Sequence, residues 1–256
     1  MIKTNENKKT WEELFAQGVK IWQLPKKERP VKRIVGVVPD LHIPYQNPKA
    51  LDFLVETFVR RGVTDIVFIG DVIDAYWYGH KYLKDYCIIG PREDYELSKL
   101  FLQKFYEEFP FATFIIGNHD LRIVRREDDG FVEDFETVFR NKFHAPKGWK
   151  IKTQEVIDGV CYIHGTGTSG QNASITMFRS KRMSTVIGHT HTFGGVVYMN
   201  NGIDSGFALN VGCLVDLQAP VFDYGLANRE KPTLGCGVVY SKEYAEFIPL
   251  LIKEEK

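Results

Sequence analysis

The sequence predicts an α/β sandwich built in layers, and three observations predict it. Short apolar runs rich in β-branched residues alternate with helical patterns through the first half of the chain. Strand-rich sequence then takes over. Five of the apolar runs end in residues able to bind a metal, as in layered α/β proteins, where the carboxyl ends of neighbouring strands form the crevice that holds ligands. With 256 residues, 44% of them hydrophobic, the chain is long enough to bury a full core. The expectation is one domain, residues 31–256, behind an N-terminal arm, residues 1–30.

In the arm, Thr10 to Glu13 ("TWEE") fits a capping box, a short amphipathic helix follows, and Gly18 ends it. Such a helix either packs on the domain's flank or serves as a partner-binding arm. Pro25 and Pro30 bracket a charged linker, "PKKERP". "RIVGVV" then reads as a buried strand that stops at Pro39-Asp40. Asn47 and Pro48 suit the N-cap and first position of a helix whose apolar face is Leu51, Leu54, Val55, Phe58 and Val59, with Gly62 past its end. "DIVFIG" is the second strand. "YELSKLFLQKFYEEF" is a helix on Leu97, Leu100, Phe101, Phe105 and Phe109, and "ATFIIG" is the third strand. A helix over Phe131 to Phe143 comes next, then strands "GVCYIHG" and "STVIGH". "GFALNVG" and "LGCGVVYSKEYAEFIPLLI" make a largely β C-terminal part. There are no internal repeats.

Charge selects no partner. Lys+Arg and Asp+Glu are 33 each, so no global positive field favours nucleic acid or an anionic membrane. The polar start and the lack of a long apolar run argue against export and membrane insertion. Cys87, Cys161, Cys213 and Cys236 are scattered without Cys-x-x-Cys spacing, which suits reduced, mostly buried thiols in the cytoplasm rather than a disulfide framework.

The chemistry lies at the strand ends: "PDLH", "GDVID", "GNHD", "HG" and "GHTH". They offer Asp40, His42, Asp71, Asn118, His164, His189 and His191, with His119, Asp74 and Asp120 beside them. Carboxylate and imidazole donors without thiolate suit Mn, Fe or Zn, not a structural zinc knuckle. Seven donors exceed one tetrahedral ion and suit two ions about 3.5–4 Å apart, an arrangement that polarises phosphate and generates hydroxide at neutral pH. A lone Asp-x-His or "GNHD" is an ordinary turn. Here five of the seven histidines fall inside the blocks, and only His80 and His144 lie outside.

In this order, D-x-H, G-D-x-x-D, G-N-H-D, H-G and G-H-x-H resemble the calcineurin-like metallophosphoesterase superfamily. The likeness runs over roughly residues 32–193, and "NHDLR", "RREDD" and the helix before the third block resemble virus-encoded and bacterial members of unassigned substrate. The resemblance implies a four-layer sandwich of two mixed β-sheets flanked by helices. It also implies two divalent metals, manganese first, with iron, zinc, nickel or cobalt as substitutes. Asp40, His42 and His191 would hold one metal, Asn118, His164 and His189 the other, and Asp71 would bridge them. His119 would face the substrate, oriented by Asp120 or Asp74, while a metal-bound hydroxide attacks phosphorus in line.

The discriminating features lie outside the blocks. Ala75-Tyr76 stand where the serine/threonine phosphatases of the superfamily carry Arg-Gly, which counts against that branch, and Pro39 replaces a small residue before Asp40. The aromatic segment "AYWYGHKYLKDY", with His80, Lys81 and Lys84, either stacks a nucleobase or packs beneath the next helix. Among the arginines of "FRSKR" (Phe178 to Arg182) and Arg122, Arg125 and Arg126, the expected substrate contact is Arg122. The expected function is a cytoplasmic dinuclear phosphoesterase acting on a phosphodiester of a nucleotide or nucleic acid. The alternatives are a broad-specificity phosphomonoesterase and a catalytically silent scaffold. A phosphorylated small molecule or nucleic acid is the expected partner, with no membrane; oligomeric state is open.

Overall fold

The computed structural model describes residues 33–76, 89–124, 134–200, 205–219 and 231–251. The expected N-terminal arm therefore lies outside the described residues. The apolar runs form strands of four residues each: β1 (Val35–Val38), β2 (Asp65–Phe68) and β3 (Ala112–Ile115). They pair in parallel, with β4 (Trp149–Lys152) added beside β3. The C-terminal hairpin, β10 (Gly235–Ser241) and β11 (Tyr244–Pro249), adds antiparallel to β1 and completes a six-stranded sheet, β11-β10-β1-β2-β3-β4. A second sheet contains β5 (Gln154–Ile157), β6 (Val160–Ile163), β7 (Ser184–Ile187), β8 (Gly194–Asn200) and β9 (Ser205–Val211) in the order β5-β6-β7-β9-β8. It too is mixed: β6, β7 and β9 are parallel, and β5 and β8 are antiparallel edges.

Period-2 alternation sorts the side chains into two cores. Val35, Val37, Val67, Ile69 and Ile115 from the first sheet meet Tyr162, Val186, Phe207 and Leu209 from the second. The first sheet's other face carries Val38, Phe68, Phe114 and Trp149. These pack against α1 (Ala50–Arg61), α2 (Pro91–Glu108) and α3 (Phe135–Phe143) through Leu54, Phe58, Leu102, Phe105 and Phe139. Each such side chain fully buried contributes roughly 1.5–3 kcal/mol, so the inner strands tolerate few polar changes. A fourth helix, α4 (Ala173–Lys181), lies against β7 and β9. A Cβ on Gly206 would come 3.0 Å from Phe178, which places α4 on the second sheet's outer face. The layers are therefore helices, sheet, sheet, helix. The expected α/β sandwich of two mixed sheets is what the chain builds.

Several boundaries differ from the sequence reading. Helix α1 begins at Ala50, not at Pro48, because Asn47 is used otherwise. Its amide donates to Leu214 O (2.7 Å), and its side chain accepts from Lys49 N (2.9 Å), closing a turn ahead of the helix. Val59, expected on the apolar face, is 78% exposed. Helix α2 starts at Pro91, earlier than "YELSK", and Leu100 is 56% exposed. The buried face runs instead through Asp94, Ser98, Leu102, Phe105 and Tyr106. Two polar residues lie inward there because the loop after β1 offers partners: Tyr45 Oη donates to Asp94 Oδ2 (2.7 Å) and Ser98 Oγ to Ile43 O (3.4 Å). Helix α3 begins at Phe135 behind an Asp134 cap that accepts from Thr137 N (3.0 Å). Among the described residues Cys161, Cys213 and Cys236 are free and buried.

Candidate metal centre

All five donor blocks follow directly on strands, and the fold brings their carboxyl ends to one edge. Three glycines make this convergence sterically feasible. A Cβ on Gly70 would lie 2.5 Å from His164 Nδ1, on Gly117 2.2 Å from Asp71 Oδ1, and on Gly188 2.1 Å from Asp40 Oδ1. The glycine of each G-D, G-N and G-H block is thus required by a ligand belonging to another block. The chain also turns sharply at the donors: His42, Asp71 and His189 sit in the left-handed region at φ 50°, 46° and 66°. The D-x-H turn hangs on the G-D turn, with Leu41 N and His42 N both donating to Asp71 O (3.1 and 2.9 Å).

The donors gather in overlapping groups. Ligand atoms of Asp40, His42 and His191 lie within 4.8 Å of one another, as do those of Asp71, His164 and His189. Asn118 joins the second group, its Oδ1 3.1 Å from His164 Nε2. Asp71 stands between the groups, its Oδ2 3.2 Å from His164 Nε2 and 3.8 Å from His42 Nε2. All seven residues chosen from the sequence as metal donors are brought together, and the two histidines of "GHTH" fall into different groups. His42, Asp71 and His119 meet the same distance limit, so distance alone does not set His119 apart. Its hydrogen bonds do.

Hydrogen-bond partners fix which ring nitrogens carry protons, and this tests whether a cation fits. His42 Nδ1 donates to Asp74 Oδ1 (2.7 Å) and His164 Nδ1 to Ile69 O (3.0 Å), since both partners only accept. When each ring carries only that proton, its Nε2 lone pair faces inward. That of His164 meets Asp71 Oδ2 and Asn118 Oδ1, and that of His42 lies 3.2 Å from His191 Nε2. Asp40 Oδ2 accepts from His189 N (2.9 Å) and lies 3.1 Å from His191 Nε2, whereas Asp40 Oδ1 is buried with no hydrogen-bond partner. Acceptors converging on acceptors in a buried site call for positive charge between them. Burial opposes the imidazolium of His164, yet the carboxylates of Asp71 and Asp40 outweigh it and hold that group up to about 10. The donor set fits divalent cations bound by oxygen and nitrogen.

His119 is arranged differently. Its amide donates to Asp71 Oδ1 (2.7 Å), and its Nδ1 lies 2.9 Å from Asp74 Oδ1. The guanidinium Nη2 of Arg122 is 2.9 Å from its Nε2. Burial lowers the imidazolium of His119, while Asp74 and Asp71 raise it to a net upward shift. The charge of Arg122 opposes that shift, and because a guanidinium only donates, the ring that accepts its hydrogen bond is the neutral one with its proton on Nδ1. Asp74 Oδ1 thus accepts from two imidazoles, and those bonds overcome burial and keep Asp74 well below the usual carboxylate range.

Asp120 takes no part in orienting His119, which corrects the sequence reading. Its Oδ1 accepts from Ile73 N (3.0 Å) and its Oδ2 from Gly117 N (2.8 Å), so it braces the second and third blocks from behind. It is fully buried, and burial together with the charge of Asp71 pushes it up to about 7. Of the expected aromatic segment only Ala75 and Tyr76 are described, and both are buried. Residues 77–86, with His80, Lys81 and Lys84, lie outside the described residues, as do Arg125 and Arg126. The "FRSKR" cluster closes α4 just before β7 begins, at the end of the strand opposite His189. It is remote from the donors.

A cavity of about 290 Å³ opens over the donors, lined by Asp71, Asn118, His119, Gly170, His189, Thr190, His191 and Thr192. Gly170, Thr190 and Thr192 were missed in the sequence. The available signal was the glycine- and threonine-rich "GTGTSG" that follows His164, where Thr166 Oγ1 donates to Asn118 Oδ1 (3.5 Å). Thr190 is fixed by the buried Asn210, and Thr192 O accepts from Thr233 Oγ1 (3.2 Å). These contacts come from β9 and from the loop before β10, which the "GHTH" block does not reveal.

No protein-family model matches the chain, and no curated protein does. Among solved structures, vacuolar protein sorting 29 from Cryptosporidium parvum aligns over 82% of this chain and 86% of its own, with a TM-score of 0.43 and 12% identity. A single mutant of Vps29 from Entamoeba histolytica aligns over 85% and 99%, with a TM-score of 0.34 and 13% identity. Vps29 from Chaetomium thermophilum aligns over 87% and 98%, at 0.36 and 9%. Likeness at this level carries nothing about activity.

Proposed function

We propose that this chain is a metal-dependent phosphoesterase of the calcineurin-like metallophosphoesterase kind, acting on a nucleotide or nucleic-acid phosphodiester. One observation carries the reading: two groups of buried donors, with their acceptor atoms turned toward each other, share the carboxylate of Asp71. Asp40, His42 and His191 would hold one divalent ion and Asn118, His164 and His189 the other, with Asp71 between. Manganese is the expected metal, and iron, zinc, nickel or cobalt suit the same donors. When bound, such ions neutralise phosphoryl charge and activate water at neutral pH.

The protein's own groups supply the rest. Asp74 holds the rings of His42 and His119 at once, so the proton of each ring stays on Nδ1 and Nε2 points to its task. His119 lines the cavity and is 17% exposed, which supports a role in exchanging a proton with the leaving oxygen once Arg122 releases Nε2. The hydroxyls of Thr190 and Thr192 are suited to phosphoryl or sugar oxygens. The buried free thiols fit a reducing compartment such as the cytoplasm.

A phosphomonoesterase is the second reading, because the described wall of the cavity holds no phenylalanine, tyrosine or tryptophan to stack a base. The test is hydrolysis of bis(para-nitrophenyl) phosphate and para-nitrophenyl phosphate by metal-stripped protein reloaded with Mn, beside Asp71→Asn and His119→Ala. Diester cleavage lost in both variants supports the proposal, and monoester turnover alone selects the second reading. Metal binding without any turnover points to a scaffold.

A further inference from the structure

The guanidinium of Arg122 touches the one atom of His119 that a substrate needs. Arg122 sits in the short turn Asp120–Ile123, its amide donating to His119 O (2.9 Å), so its side chain folds back over the preceding histidine. Nη1 donates to Asp74 O (3.0 Å) and Nη2 to His119 Nε2 (2.9 Å). The imidazole is therefore pinned at both nitrogens, Nδ1 by Asp74 and Nε2 by Arg122. Arg122 itself spends its charge on a carbonyl and a neutral ring nitrogen. Among the described residues no carboxylate lies within ion-pair distance of it, although it is half-buried beside the donor cluster. A planar fork with one arm anchored and its charge unmatched suits a phosphoryl group, which accepts two parallel N–H bonds.

We infer that Arg122 is a latch on His119 that becomes a phosphate clamp: a phosphoryl oxygen draws Nη2 off His119 Nε2 while Nη1 stays on the Asp74 carbonyl. Arrival of substrate and uncovering of the proton-exchanging nitrogen are then one event. Water offers no charge to draw the latch away, so His119 stays covered between turnovers. The inference rests on the phosphoesterase reading above and deepens it. It makes Arg122 a binding residue that also positions His119.

The test uses the full-length chain with Arg122→Ala and Arg122→Lys. In the Mn-loaded enzyme, Arg122→Ala should lower kcat/KM by about 10²–10³-fold through both KM and kcat, as loss of a preorganised donor does. Arg122→Lys should recover part of KM and little of kcat, because it restores charge without the fork. Free guanidinium chloride at sub-denaturing concentration should restore turnover to Arg122→Ala beyond what equal sodium chloride does. In the zinc-loaded chain, titration with inorganic phosphate should shift the side-chain ¹⁵N resonance of His119 Nε2 in wild type and leave it unmoved in Arg122→Ala. Unchanged kcat/KM in Arg122→Ala overturns the inference. So does a loss that guanidinium does not restore in a variant melting at the wild-type temperature. If wild type turns over no ester with any metal, the phosphoesterase reading fails, and the phosphate titration still decides on Arg122.

Discussion

Replacing Gly117 by alanine tests the idea that the donor blocks interlock. The new Cβ would stand 2.2 Å from both Asp71 N and Asp71 Oδ1 and 2.9 Å from Asp71 Cγ. Ordinary contact needs about 3.4 Å or more, so Asp71 must retreat by over 1 Å. A backbone amide cannot swing away as a long side chain does. Retreat costs the bond from His119 N to Asp71 Oδ1 (2.7 Å) and drags the G-D turn, on which Leu41 N and His42 N hang. Overpacking costs about 1–3 kcal/mol and a lost charge-assisted hydrogen bond about 1.5–3. Together they predict a loss of roughly 3–5 kcal/mol, near 10 °C in Tm for a domain of this size. Affinity for Mn should fall by about 10–100-fold, since Asp71 is the shared donor. The control is Gly62→Ala, at φ 65° with nothing within 4 Å, where only the left-handed backbone costs about 1 kcal/mol. Thermal melting and calorimetric Mn titration of both variants decide the matter. If Gly117→Ala melts within 2 °C, a margin of roughly half a kcal/mol, of Gly62→Ala and binds Mn like wild type, the interlocking argument is wrong.

Asp74→Asn should keep the fold but unsettle two rings together, because Asp74 Oδ1 accepts from His42 Nδ1 at 2.7 Å and His119 Nδ1 at 2.9 Å. The expected result is about 10–100-fold weaker metal binding by titration, with a further loss in kcat. Asp94→Asn should raise stability in a pH-dependent way. Burial, opposed by the Tyr45 hydrogen bond and aided by the charge of Asp74, pushes Asp94 up to about 6. A carboxyl raised on folding favours the native state below its unfolded value near 4 and loses that benefit as pH rises through 6. Asparagine still accepts from Tyr45, so urea melts should show no gain at the acid end, growing to ~1–3 kcal/mol by pH 7.5. A gain that does not change with pH would refute that account.

The donor blocks were legible because each pairs a strand end with a glycine and a metal-binding side chain, and no tertiary partner is needed to see the pattern. The face of α2 was not legible. Asp94 and Ser98 are buried by partners in the loop after β1, and no helical periodicity announces Tyr45 Oη as donor or Ile43 O as acceptor. The strands β4, β5 and β8 are not legible in the sequence: "QEVI" is too polar to stand out from a loop, and a glycine pair opens "GGVVYMN". Helix α4 was seen only as the basic cluster "FRSKR", since its amphipathic signal is weak and glycine-rich sequence precedes it. Of the two carboxylates expected to orient His119, Asp74 does so and Asp120 does not, because adjacency in sequence does not fix contact. In the tight turn after Asn118 its carboxylate points to Gly117 N and Ile73 N instead.

The backbone at the donors bears on whether the chain is an enzyme or a silent scaffold. His42, Asp71 and His189 all adopt positive φ, each at a cost of about 1–2 kcal/mol for an L-residue other than glycine. Glycine at any of these positions would relieve that strain, and the turns would still close. Asp40 Oδ1 adds a buried acceptor with no partner, worth about 1–3 kcal/mol more. A fold that needed only its two cores would gain by losing these features. Their joint presence at one edge of the sandwich, where a positive charge would satisfy the buried Asp40 oxygen and the strained turns hold the other donors around it, favours a centre kept for metal chemistry.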